Sequence, residues 1–265
     1  MNMFFREMKA LRKGLIIWAV CILLMVVVGL QKYAAYSSTG QSINDLMAQM
    51  PKSLRAILGF GDFDLTKVSG YFGMLFVYLL LMATIHAAML GANIISKEER
   101  DKTAEFLLVK PASRNKIITS KLLAALVNIV IFNIINLVSS ILVVGKYSKG
   151  EAVNGDIVIL MIGMFILQLM FLVIGTAIAA VSKNPKTATS LSTGILLVTY
   201  ILSIAIDING KLENLKYLTP FKYYDAKNMM YGGGLDVVFV ILSIIIIAAL
   251  TTVTYKFYGK RDMNV

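Results

Sequence analysis

Few residues in this chain could do chemistry. There is one histidine, His86, and one cysteine, Cys21. No His-x-x-x-His or cysteine-rich metal site can be assembled from them. Glu98-Glu99 is an adjacent acid pair of the kind used in intramembrane proteolysis. That chemistry needs an Arg four residues after the second Glu, where Thr103 stands, and further histidines that do not exist. No Gly-x-x-x-x-Gly-Lys-Ser/Thr loop occurs, so the chain cannot cradle ATP phosphates by that route. Cys21 sits inside an apolar run and reads as a small packing residue. The sequence therefore assigns no catalytic residue, no metal ligand and no bound cofactor.

The remaining polar candidates lie within apolar runs. His86 could relay protons, but no carboxylate lies in any apolar run to partner it, so a hydrogen-bonded packing role is the simpler reading and a proton-coupled carrier is disfavoured. Asn128, Asn133, Asn136, Ser139 and Ser140 fall within an arc of roughly 140° at 100° per residue. Lipid cannot satisfy amides, so this stripe must face other helices, a second subunit or a wet pathway. Interhelical hydrogen bonding is the plainer option and substrate contact the sharper one. Gln168 can meet the same interior, and Gly175-x-x-x-Ala179 and Thr176-x-x-x-Ala180 permit close helix approach.

The elements that must position these residues are membrane helices. Hydrophobic residues make up 58% of the 265, against about 45–50% in soluble domains. Six charge-free runs, extended into their flanking residues, read as spans at about 14–36, 68–95, 115–145, 157–181, 187–206 and 235–256, each near or above the roughly 20 residues a helix needs to cross hydrocarbon. Strand alternation is absent, so the fold class is an all-α polytopic bundle in a single domain, 1–265. Residues 1–13, with Phe4, Phe5, Met8 and Leu11 near one face among four cations, read as an interfacial helix retained ahead of the first span.

Charge sets the expected orientation. If both termini share one side, that side receives sixteen of the 26 Lys and Arg residues, which places it in the cytoplasm. The formal charge of +11 flanks apolar runs, a pattern that suits anionic membrane lipids and argues against nucleic acid. On the opposite side, Ile43, Leu46, Met47, Met50, Leu54, Ile57 and Leu58 predict one or two amphipathic helices interrupted by Pro51. Leu215, Leu218, Phe221 and Met229 repeat the pattern around Thr219-Pro220-Phe221, and Gly232-Gly233-Gly234 leads into the sixth span.

The densest charge lies between the second and third spans, at 96–114, around the apolar patch Phe106-Leu107-Leu108-Val109. Pro111 is expected to stop a helix running from about Lys97 to Val109, and Ser113 to cap the next. Here the sequence resembles the permeases of the type-2 exporter family of ATP-binding-cassette transporters. The resemblance rests on Glu98-Glu99, Thr103-x-Glu105, Leu107-Leu108, Pro111, Ser113-Arg114 and Lys121. Met50-Pro51-Lys52, Leu218-Thr219-Pro220-Phe221-Lys222-Tyr223 and Lys260-Arg261-Asp262 extend it across most of the chain. Lys102 stands where that family has Gly.

The resemblance implies a multi-pass permease of a bacterial plasma membrane. It would pair with a second permease copy or a related one and with a cytoplasmic ATPase subunit that carries ATP and Mg. The 96–114 region would be the cytoplasmic coupling helix, with Glu98, Glu99, Thr103, Glu105, Phe106, Leu107, Leu108 and Arg114 as coupling residues. His86, Asn128, Asn133, Asn136 and Gln168 would line a pathway or a dimer interface. The expected activity is export of an amphipathic peptide, drug or lipid by alternating access. The alternative is a membrane sensor or immunity protein that binds a peptide without moving it.

Overall fold

The structure is a computed structural model that describes residues 3–38, 43–61, 63–103, 113–148, 150–182 and 184–260. The elements run α1 (Met3–Ser38), α2 (Ile43–Ala48), α3 (Lys52–Ile57), α4 (Val68–Arg100), α5 (Arg114–Gly145), α6 (Asn154–Val181) and α7 (Thr187–Ile208). Two 3₁₀ segments, Gly210–Leu218 and Pro220–Lys222, precede α8 (Ala226–Tyr231) and α9 (Val237–Lys260). No strand occurs among the described residues. Six helices, α1, α4, α5, α6, α7 and α9, are long and apolar enough to cross a membrane. The chain is a multi-pass, all-helical membrane protein.

The interfacial helix expected over 1–13 and the first span form one unbroken helix of 36 residues. Gly14 is its one weak former in the charged region, and a single glycine costs only about 1 kcal/mol. At about 1.5 Å per residue, α1 is roughly 54 Å long, more than the hydrocarbon it crosses, so its charged first turns project beyond. Phe4, Met8 and Leu11 pack against the core. Phe5, a hundred degrees round the helix from Phe4, is exposed and does not share their face. Cys21 is also exposed rather than packed inside.

α4 and α6 form the centre. Their backbones meet through small residues: a Cβ on Gly91 would lie 2.2 Å from the Leu172 carbonyl oxygen, and one on Gly175 would lie 2.5 Å from that of Ala88. Ala83, Ala87, Ala88, Ala92 and Ala179 are fully buried around this seam. In a membrane, where apolar burial gains nothing over lipid, such close packing is what holds helices together. α1, α7 and α9 lie outside, presenting Ile17, Val198, Ile201, Val237 and Ile244 outward.

Two ends result. Residues of α1's first turns, α4's end and α5's start interact with one another, and Arg114 of α5 donates to the Gly259 carbonyl near the end of α9 at 3.0 Å. The start of α1 and the end of α9 therefore gather at the end of the bundle where α4 stops and α5 begins. At the opposite end, α2 and α3 flank Pro51, as the sequence predicts. The Asp64 carboxylate accepts from Thr66 Oγ1 (2.6 Å), Thr66 N (3.1 Å) and Asn44 Nδ2 (2.8 Å). Those bonds, Thr66 foremost, hold its pKa below the ordinary carboxylate value. After α7, Thr219 donates to the Thr199 carbonyl (2.7 Å), Tyr224 pairs with Ser243 of α9 (2.8 Å), and Tyr223 stacks on Phe239 with centroids 4.7 Å apart. Gly233 and Gly234, at φ 91° and 107°, take the left-handed backbone that precedes α9 without strain.

The seam gives a direct test. Gly91→Ala should lower the melting temperature of the detergent-solubilised protein, at a cost of about 1–3 kcal/mol for overpacking. Gly194→Ala, whose Cβ would meet nothing within 4 Å, should leave it unchanged.

Candidate functional site

α4 runs past the expected span end at about residue 95 and stops at Arg100, so the helix expected from about Lys97 to Val109 is broken at its start; residues 104–112 lie outside the described residues. Lys102 sits at φ 54°. Its N–H donates to the Glu99 carbonyl (3.3 Å), and the Thr103 N–H donates to the Glu98 carbonyl (2.8 Å). This is the paired 5→2 and 6→1 closure that ends a helix on a left-handed residue. The sequence reading placed Lys102 inside a helix, where Lys is better than Gly. The structure puts it at the one position where Gly is better than Lys, because a Cβ disfavours the left-handed region. Ser113 does cap α5: its side chain accepts from Lys116 N at 3.3 Å.

Between these two helix ends lies a buried charge cluster. Lys121, two turns into α5, has no exposed surface. Its ammonium donates to the Ile94 carbonyl (2.6 Å) and to Glu98 Oε2 on α4. Glu7 on α1 is also fully buried. It takes a hydrogen bond from Lys97 and lies 3.1 Å from Arg6 Nη2. The second oxygen of Glu98, Oε1, is buried without a hydrogen bond, but lies 3.8 Å from Arg6 and 3.9 Å from Lys97. Two carboxylates and three cations thus join α1, α4 and α5 in one network. Such pairing is what allows charges to leave water.

A second polar layer lies deeper. Asn133 of α5 donates to Gln168 of α6 and to the Ile129 carbonyl (2.9 Å), and Gln168 donates to the Ala83 carbonyl of α4 (3.1 Å). Asn136 reaches Met164 Sδ at 3.3 Å, and Ser139 and Ser140 bond back to Asn136. His86 is held between Trp18 of α1 (5.4 Å) and Phe132 of α5 (4.9 Å). Asn128 is its polar neighbour, yet His86 Nδ1, Asn128 Oδ1 and Asn133 Oδ1 are buried with no hydrogen-bond partner among the described residues. The stripe faces inward. It ties three helices together and contains no carboxylate, so it can hold a polar group but not exchange a proton between acid and base.

The expected coupling residues are divided. Glu98 turns inward to Lys121 and offers no free surface. Glu99 is half-buried and Thr103 exposed, and Arg114 reaches α9. Glu105, Phe106, Leu107 and Leu108 lie outside the described residues. No group of three His, Cys, Asp or Glu able to hold a metal occurs among the described residues. Glu7 was missed by sequence reasoning. Its signal was present: it falls on the Phe4–Met8–Leu11 face, where an acid has no reason to be unless a cation meets it.

A family model described as "ABC-2 family transporter protein" matches residues 1–263. Comparison with curated proteins finds no match.

Lys102→Gly should raise stability by about 1 kcal/mol by relieving the left-handed strain, read as a higher melting temperature. Lys121→Met alone should cost about 3–5 kcal/mol, because it strips a buried carboxylate of its main partner. Lys121→Met/Glu98→Gln should cost less than the sum of its parts, a coupling that a double-mutant cycle measures directly.

Proposed function

Because the chain belongs to the ABC-2 transporter family and is a membrane subunit of that class of transporter, we propose that it works as an exporter. It moves an amphipathic peptide, drug or lipid out of the cytoplasm, as a homodimer or a heterodimer with a related permease, driven by separate ATPase subunits. Both termini and the 101–113 segment face the cytoplasm in this reading, supported by the Lys and Arg excess at that end. The plasma membrane is its location, and anionic lipids hold its flanking cations.

One observation carries the proposal: the buried network that clamps both ends of 101–113 to α1. A segment whose exit from α4 and entrance to α5 are joined through Glu98 and Lys121 cannot be pushed without moving both helices. Glu7 and Lys97 pass the same push to α1. An ATPase docking on Phe106 and Leu107, with Glu99 and Glu105 toward its basic surface, would thereby move three helices together. The α4–α6 seam and the amide layer would transmit that movement toward the far side, which is how alternating access would follow from ATPase closure. Asn136 and Gln168 would then lie along the substrate path or beside it.

Co-expression with an ATPase encoded by a neighbouring gene should give a stable complex in detergent with an altered ATPase rate. A chain that neither recruits such an ATPase nor changes its rate would overturn the exporter reading in favour of a peptide-binding sensor. Phe106→Asp should abolish recruitment while leaving membrane insertion intact.

A further inference from the structure

We propose that the cavity at the end of the bundle opposite the termini binds an amphipathic anion: one carboxylate, phosphate or sulfate head on an aliphatic or aromatic body. The cavity measures about 740 Å³, well within the size range of small-molecule sites. Its walls come from α3, α4, α7, both 3₁₀ segments, α8 and the start of α9. Phe76, Leu80, Tyr200, Phe221, Tyr224 and Phe239 supply an apolar and aromatic lining.

The charges around it are unevenly matched. Lys222 is paired with Asp207 and lies 3.7 Å from Asp225, and Lys216 lies 3.2 Å from Glu213. Asp236 accepts from the Val238 N–H at 2.8 Å, at the start of α9. The acids of the wall are thereby engaged. Two lining cations on α3, Lys52 and Arg55, form no ion pair among the described residues, and the Arg55 Nε–H is buried without an acceptor. Arg55 also borders a neighbouring cavity of about 310 Å³. The acid there, Asp64, is already bonded to Asn44 and Thr66.

A buried guanidinium N–H left unpaired costs free energy. The planar fork of Arg matches a carboxylate or phosphate with two parallel bonds. An anionic head at α3 would satisfy it, with the body lying against Phe76, Leu80, Tyr200 and Phe221. A cationic or purely apolar guest would leave Arg55 as it stands. The binding claim rests on the cavity alone. Only its placement at the outer leaflet rests on the orientation proposed above.

The test uses the full chain in maltoside micelles without any ATPase, so its outcome is independent of the recruitment experiment. Native mass spectrometry would titrate dioleoyl phosphatidylglycerol, dioleoyl phosphatidylcholine, laurate and inorganic phosphate. At least one of phosphatidylglycerol and laurate should bind about tenfold more tightly than phosphatidylcholine, and phosphate alone should not bind. Arg55→Gln should remove about tenfold of that preference, and Arg55→Lys, keeping charge without the fork, about half of it on a logarithmic scale. Lys67→Gln, a cation at the same end that does not line the cavity, should change nothing. Binding of phosphatidylglycerol alone identifies a bilayer lipid as the source. Binding of laurate alone identifies a soluble amphiphile. Equal binding of both supports the shared chemistry. Equal affinity for phosphatidylcholine, equal affinity for bare phosphate, or full retention in both Arg55 variants overturns the proposal.

Discussion

A lysine ammonium with no exposed surface must be answered where it sits, and Lys121 is answered by Glu98 and the Ile94 carbonyl. Replacing such a pair with apolar residues can be neutral or stabilising, whereas leaving one partner alone is costly. The network therefore specifies arrangement more than it adds stability. It fixes the register of α5 against α4, and through Lys97 and Glu7 that of α1 against both. The helix ends on either side of the segment between α4 and α5 are thereby tied to each other and to α1.

Deeper in the bundle the logic changes from charge to contact. Gly91 against Leu172 and Gly175 against Ala88 bring two backbones together with no room for a methyl group. The Asn133–Gln168–Ala83 bonds join the same two helices, α4 and α6, to α5. In hydrocarbon, amides without partners would cost several kcal/mol each, so this layer both requires and rewards the close approach that the glycines permit. A charged clamp at one end and a tight, polar-stitched seam in the middle make the bundle stiff between them.

The opposite end is built on aromatic contacts and paired surface charges instead. Tyr223 on Phe239, Tyr224 with Ser243 and Lys222 with Asp207 fold the segment between α7 and α9 over the bundle mouth. Burial among these contacts raises the pKa values of Tyr223 and Tyr224 above that of an ordinary phenol, so both remain neutral donors at physiological pH. Lys52 and Arg55 of α3, which line the cavity beside these contacts, form no ion pair among the described residues.

Much of this was legible in the residues. Six apolar runs bounded by charge dictate six spans because only helices can satisfy their own backbone in lipid, and the arc of Asn128, Asn133 and Asn136 had to face inward for the same reason. Ser113 before Arg114 reads as a cap, and Pro51 as a break, from local chemistry alone. The end of α4 was not legible: a Lys in a charged, helix-favouring stretch reads as helix, and only the carbonyls of Glu98 and Glu99, turned toward Lys102 and Thr103, reveal a left-handed stop. Glu7 was not singled out, and Lys121 was read only as part of the family-like motif, because charge alone does not say what faces it. Local sequence determined the helices, their faces and the polar stripe, since those depend on neighbours within a few residues. Which charges would be buried against each other, and which cations of α3 pair with no acid among the described residues, depended on helices brought together from distant parts of the chain, and so was decided only by the tertiary structure.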